Sequence, residues 1–199
     1  MAYVDAMIGE VLNGLADDIH VLLTADAGQS LGEHGHVGAG RPSLYQEVVH
    51  VPLLLVGPGC RAGLHVAAVT ASIDLAPTIA DLAGATLDGA HGRSLLPLLA
   101  HDDPPWRDHV ALGTGPADAP LLGLWSPDWA LHLPADEGAA LFVKPDDRWE
   151  VNDVAKPYAE WVDKVAAALR AEVQATHQPG PLDVPPLPAL DDAEESDPT

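Results

Sequence analysis

Thr24-Ala25-Asp26-Ala27-Gly28, Leu31-Gly32-Glu33-His34-Gly35, Leu44-Tyr45-Gln46-Glu47 and Val51-Pro52-Leu53-Leu54-Leu55-Val56-Gly57-Pro58-Gly59 follow one another in the stretch that decides the fold. Two short apolar runs bracket it, Ile19 to Thr24 and Val51 to Val56, each with the length and composition of a buried strand. Gly57-Pro58-Gly59 closes the second run as a turn. Residues 26–42 are glycine-rich and lack apolar periodicity, so they read as a loop, with a short helix over Ser43 to Val49. Asp26 therefore sits just past the C-terminal end of a strand, where open α/β sheets place ligands. A carboxylate there can bind a hard cation through oxygen; its competing use is as a turn or cap residue. His34 and His36, in the following loop, can reach the same cleft.

Working outward, Tyr3, Met7, Ile8, Val11, Leu12 and Leu15 recur at helical spacing. Downstream, Val66 to Thr70 reads as a short strand. Asp74 reads as the N-cap of a helix from Leu75 to Leu82, with Pro77 in its first turn and Gly84 as its stop. Ser94 to Leu99 reads as a further helical turn. Helices alternating with buried strands predict a parallel-type α/β sheet. The character changes after Pro104-Pro105-Trp106. Four strands follow, His109 to Gly113, Leu121 to Trp125, Trp129 to Leu133 and Ala140 to Val143, with Pro127-Asp128 and Asp136-Glu137-Gly138 at connections. The short connections predict an antiparallel meander. Tyr158, Trp161, Val162, Val165, Leu169 and Val173 then form a helical stripe behind Pro157, and the tryptophans read mostly as core. The expected organisation is an incomplete α/β domain over 1–104, an antiparallel sheet plus helix subdomain over 105–177, and a disordered acidic, proline-rich tail over 178–199.

The 199 residues carry 30 acidic against 9 basic side chains, a formal net charge of −21. Such a surface repels phosphate backbones and anionic lipid headgroups, so neither nucleic acid nor a membrane surface is expected as a partner. It suits a metal cation or solubility in salt, or it is simply a solvated acidic face. Cys60 is the single cysteine, so no internal disulfide forms. No charged-then-apolar leader follows Met1 and no apolar run is long enough to span a bilayer; the compartment stays open.

In their order and spacing, TADAG, LGEHG, LYQE and VPLLLVGPG resemble the sulfatase family of the alkaline phosphatase superfamily. There a strand runs into Ser/Ala-Asp-His/Asn-Gly, followed by Leu-Gly-Glu-His-Gly, a lysine, Leu-Tyr-Glu-Glu and Val-Pro-Leu to Gly-Pro-Gly. The likeness continues through Thr70 to Gly84, Asp88 to Leu99, Trp125 to Leu133 and Leu141 to Ala155, the last similar to the family's LYDL-x-x-DP-x-E-x-x-NLA. The resemblance implies an α/β fold: the C-terminal part of a sulfatase/alkaline-phosphatase-like mixed sheet with flanking helices, plus a small antiparallel sheet and helix subdomain. It also implies sulfate-ester hydrolysis by a formylglycine made from Cys or Ser in Cys/Ser-x-Pro-x-Arg. A divalent cation, usually calcium, would be held by two early Asp residues and the later Asp-His/Asn pair.

Several positions depart from that pattern. Asp26 matches the family's metal-binding Asp, but Ala27 stands where a second ligand is expected, and a methyl group cannot ligate. Ala39, 13 residues after Asp26, stands where the sulfate-contacting lysine is expected. Arg41 follows two residues later; it either substitutes, since a guanidinium pairs well with an oxyanion, or is a solvated loop residue. His34 either contacts substrate or hydrogen-bonds its own loop. The candidates are thus Asp26 for metal and His34 and Arg41 for substrate, with no catalytic nucleophile. Cys60 lacks the proline and arginine of the formylglycine motif and reads as an inert turn residue. The chain is expected to be the late part of a sulfatase-like protein, inactive alone, acting on a sulfate ester only if completed by the missing half, and prone to self-association through exposed sheet edges. The alternatives are a non-catalytic binding or assembly module, one half of a split enzyme, or a phosphatase-type hydrolase of the same superfamily.

Overall fold

The computed structural model describes residues 2–38, 42–100, 104–116, 119–178, 180, 182 and 184–188. Helix α1 (Ala2–Asn13) leads into strand β1 (Val21–Thr24). The loop that follows contains a two-rung hairpin, β2 (Ser30–Leu31) and β3 (Val37–Gly38), and a single helical turn, α2 (Gln46–Val49), before β4 (Leu53–Val56). A 3₁₀ turn over Ser72–Asp74 runs into α3 (Leu75–Leu82), and α4 spans Leu96–Ala100. Strands β5 (Val110–Thr114), β6 (Leu121–Trp125), β7 (Trp129–Leu133) and β8 (Ala140–Val143) precede the long α5 (Ala159–Ala175).

The main apolar cluster lies in the second half of the chain. Strands β5-β6-β7-β8 form an antiparallel meander in that order, as the short polar connections require. Leu124, Leu131 and Leu141 point from this sheet onto Trp161, Val162, Val165, Ala166 and Leu169 of α5. Leu131, Leu141 and Val165 are fully covered. Trp129 packs against Tyr158 and Trp161 with ring centroids 5.6 and 5.4 Å apart.

The first third is different. Where the alternation of elements predicts a parallel sheet, β1 pairs with β4 antiparallel, Val21 opposite Val56 and Thr24 opposite Leu53. A parallel pair needs a crossover long enough to carry the chain back across the sheet. Among the described residues the only helix between these strands is the four-residue α2, too short to serve as that crossover, and the chain returns in the opposite direction. Nor are the two strands buried: Leu54 and Val56 are 49 and 55 % exposed. Along residues 3–13 of α1 only Ile8 and Gly9 are even partly covered. Val66 to Thr70, expected as a strand, is irregular.

Side chains on either side of residue 104 interlock. The Asp74 carboxylate is fully buried and does not cap α3. It accepts two hydrogen bonds from the Arg107 guanidinium, at 2.7 and 2.9 Å, and one each from the Ala71 and Arg93 backbone N–H groups at 2.9 Å. Trp106 donates from Nε1 to the Val69 carbonyl, and its ring lies under both Arg93 and Arg107.

Part of the stretch expected to be disordered lies against the subdomain. Leu187 packs on the α5 core, the Leu187 N–H donates to Asp108 Oδ2 at 3.0 Å, and Trp161 Nε1 donates to the Pro188 carbonyl at 3.0 Å. Proline restricts this segment before it docks, which lowers the entropy cost of ordering it. Residues 179, 181, 183 and 189–199 of that stretch lie outside the described residues. Beneath the strap, His109 is buried between Asp108 (2.7 Å) and Glu172 (3.5 Å). Burial opposes the imidazolium, but the bonds to Glu172 and Asp108 outweigh it and raise the pKa above 6.5, while Asp108 is lowered and stays ionised. A raised histidine contributes fully below its unfolded value and loses that contribution as pH rises through the folded one. The Leu187 amide is therefore expected to be most protected from hydrogen exchange below pH 6.5 and less protected above it, with His109→Gln removing the dependence. Protection that grows toward alkaline pH would contradict this.

Candidate functional site

Asp26 is exposed at the C-terminal end of β1, and its Oδ1 accepts the Ala27 N–H at 2.9 Å. Two residues on, the Gly28 N–H donates to the Val48 carbonyl at 2.8 Å. A Cβ on Gly28 would land on the Glu47 carbonyl oxygen, so only glycine allows the strand-end turn to lie against α2. The hairpin that follows turns at Gly32 and Gly35, both at positive φ. Glu33 folds back to accept the Leu31 N–H at 2.7 Å. Backbone N–H bonds, its own and that of Leu31, lower the Glu33 pKa.

His34 lies parallel to the Tyr45 ring, centroids 3.5 Å apart and planes 7° off. Its Nδ1 sits 2.9 Å from Glu47 Oε1 and its Nε2 2.8 Å from the Trp149 carbonyl. Both partners are acceptors, so both nitrogens donate only in the imidazolium form. Burial works against that charge, but Glu47 and the Trp149 carbonyl outweigh it, and the pKa is raised. Both ring nitrogens of His34 are thus engaged within the protein.

Behind Tyr45 lies a layer supplied by the subdomain. His132 and Phe142 face the Tyr45 ring at 4.9 and 6.2 Å. Burial pushes the His132 pKa down to about 4, helped by the charges of His34 and Lys144, so this imidazole is neutral at neutral pH. Lys144 and Glu150, 7 and 2 % exposed, pair at 2.9 Å between Nζ and Oε1. The Lys144 N–H groups are directed to Gln46 Oε1 and to the Asp147 and Arg148 carbonyls. Glu150 Oε2 accepts the Gln46 N–H at 3.0 Å.

Of the three candidates from the sequence, Asp26 stands exposed at the strand end, His34 is tied into the layer just described, and Arg41 lies outside the described residues. Among the described residues no three His, Cys, Asp or Glu side chains come together as a cation site. Asp26 offers one carboxylate where calcium takes six to eight oxygens, so these residues supply one ligand of a cation site and not its full shell. Glu47, Lys144 and Glu150 were not singled out by chemistry. Two carried a signal nonetheless: Glu47 falls in LYQE, and Glu150 at the glutamate of the family's DP-x-E segment.

A family model described as Sulfatase matches residues 1–85. Arylsulfatase K of Mus musculus is 36% identical over 191 residues, covering 86% of this chain and 34% of the mouse protein. The chain belongs to the sulfatase family. A solved protein in complex with its substrate D-glucosamine-2-N,6-O-disulfate superimposes with a TM-score of 0.74 at 26% identity, over 87% of this chain and 38% of that one. The phosphonate monoester hydrolase of Silicibacter pomeroyi does so with a TM-score of 0.72 at 29% identity, over 86 and 39%. This sulfatase-family chain corresponds to the C-terminal part of the fold and spans about a third of the length of the curated relatives it matches. The family generally depends on a divalent cation. No described helix of this member is long and apolar enough to cross a membrane.

Proposed function

We propose that this chain forms the late part of a sulfate-ester hydrolase site and is inactive by itself. Asp26 supplies one carboxylate toward a divalent cation, and Arg41 contacts the substrate oxyanion. The observation that carries this reading is the exposed Asp26 at the end of β1, fixed by the Gly28–Val48 bond, in a chain with no Cys/Ser-x-Pro-x-Arg segment. His34, with both nitrogens taken, orders the loop instead of binding substrate. The remaining cation ligands and the nucleophile come from outside the described residues. Calcium suits an all-oxygen site. The likeness to a phosphonate monoester hydrolase supports a second reading, in which the transferred group is phosphonyl or phosphoryl. The site chemistry of this chain, one carboxylate and one guanidinium, suits either anion.

The uncovered apolar side chains of α1 and β4 further support association of the isolated chain. The test uses the purified chain. No turnover of p-nitrophenyl sulfate, p-nitrophenyl phosphate or a phosphonate monoester is expected, and added Mn²⁺ should broaden the Ala27 and Gly28 amide resonances in the native chain but not in Asp26→Asn. Turnover of any of the three esters would overturn the inactivity, and broadening that ignores Asp26 would overturn the cation assignment.

A further inference from the structure

Glu150 is the one non-glycine among the described residues with positive φ, at 54°. Holding a non-glycine residue there costs free energy and persists only where surrounding contacts over-determine it. Its carboxylate is also 2 % exposed, and burying a charge is costly unless it is well partnered. Two penalties at one residue call for a shared cause, and the geometry shows one. The strained turn brings two acceptors of the subdomain up to the loop together: the Trp149 carbonyl meets His34 Nε2, and Glu150 Oε2 meets the Gln46 N–H at the start of α2. An anion at this first turn satisfies a donor that has no partner within the helix.

The contacts continue in one direction. Gln46 opens α2; Glu47 of the same turn holds His34 Nδ1; the Val48 carbonyl holds the Gly28 N–H; and Gly28 stands two residues from Asp26. We propose that Glu150 is a positioning residue for Asp26, a buried carboxylate of the C-terminal subdomain that fixes α2 and through it the turn carrying the candidate metal ligand. Lys144 holds the Glu150 carboxylate in place while its own N–H groups tie the 147–148 backbone and the Gln46 side chain. The proposal rests on the cation role of Asp26 for its significance. The coupling itself does not.

Two variants cut the joint from opposite sides in the full chain. Glu150→Gln keeps the shape and removes the charge. Gln46→Pro removes only the backbone donor and the Gln46 side chain; proline is tolerated at a first helical position, and Tyr45 before it already holds φ −61 and ψ 150, as a residue preceding proline requires. Hydrogen exchange of the Gly28 amide is expected to accelerate about tenfold in each variant, with Leu131 and Leu141 of the subdomain core unchanged. The His34 titration midpoint should fall toward 6.5 in both, which a uniform loss of stability would not produce. Gly28 exchange unchanged in both, or all amides accelerating together, would overturn the proposal. Mn²⁺ broadening in the native chain separates the two readings: if it is absent while the Gly28 footprint appears, the cation role fails and the coupling stands.

Discussion

Asp74→Ala is expected to cost the chain about 3–5 kcal/mol, because it leaves the Arg107 guanidinium buried with no counter-charge. Four hydrogen bonds end on that carboxylate, and none of its surface reaches water. At about 2–4 °C per kcal/mol for a chain of this size, the melting temperature should fall by about 10 °C. Removing both charges, as in Asp74→Leu with Arg107→Met, should cost less than the sum of the two single changes, since no orphaned charge remains. Thermal unfolding of the native chain, Asp74→Ala, the two single changes and their combination measures this directly. A loss under about 1 kcal/mol for Asp74→Ala would mean that water reaches the guanidinium in solution.

Leu131→Ala is expected to be nearly as damaging, at about 3–5 kcal/mol, because the side chain is fully covered between the meander and α5 and its removal leaves a cavity. Leu54→Ala removes the same atoms from a strand where that leucine is 49 % exposed, and should cost under about 1 kcal/mol. Urea midpoints of the pair give the comparison. If Leu54→Ala proved as costly as Leu131→Ala, the face of β4 would be covered in solution, as self-association would cover it.

Legibility in the sequence followed the range of the contacts involved. The four strands of the meander and the stripe of α5 were readable because their partners are near in sequence and their periodicity is undisturbed. The direction of the β1–β4 pair was not, since strand period says nothing of orientation and the decisive fact was the shortness of α2. Asp74 was visible as a polar residue at a helix start, but its use was set by Arg107, 33 positions away. Asp26 was found by its place after a strand. Glu150, 104 positions from the Gln46 N–H it accepts, looked like one more acid in an acidic chain.

The meander and α5 can assemble from pairings close in sequence. The loop around Asp26 cannot, because its anchors, Trp149 and Glu150, lie more than a hundred positions after His34 and Gln46. A ribosome makes the loop first and its anchors much later, and a bond cannot close before both ends exist. In this chain the region nearest the candidate chemistry is therefore among the last to take its final form, and the nascent loop must wait, unanchored, for the subdomain that fixes it.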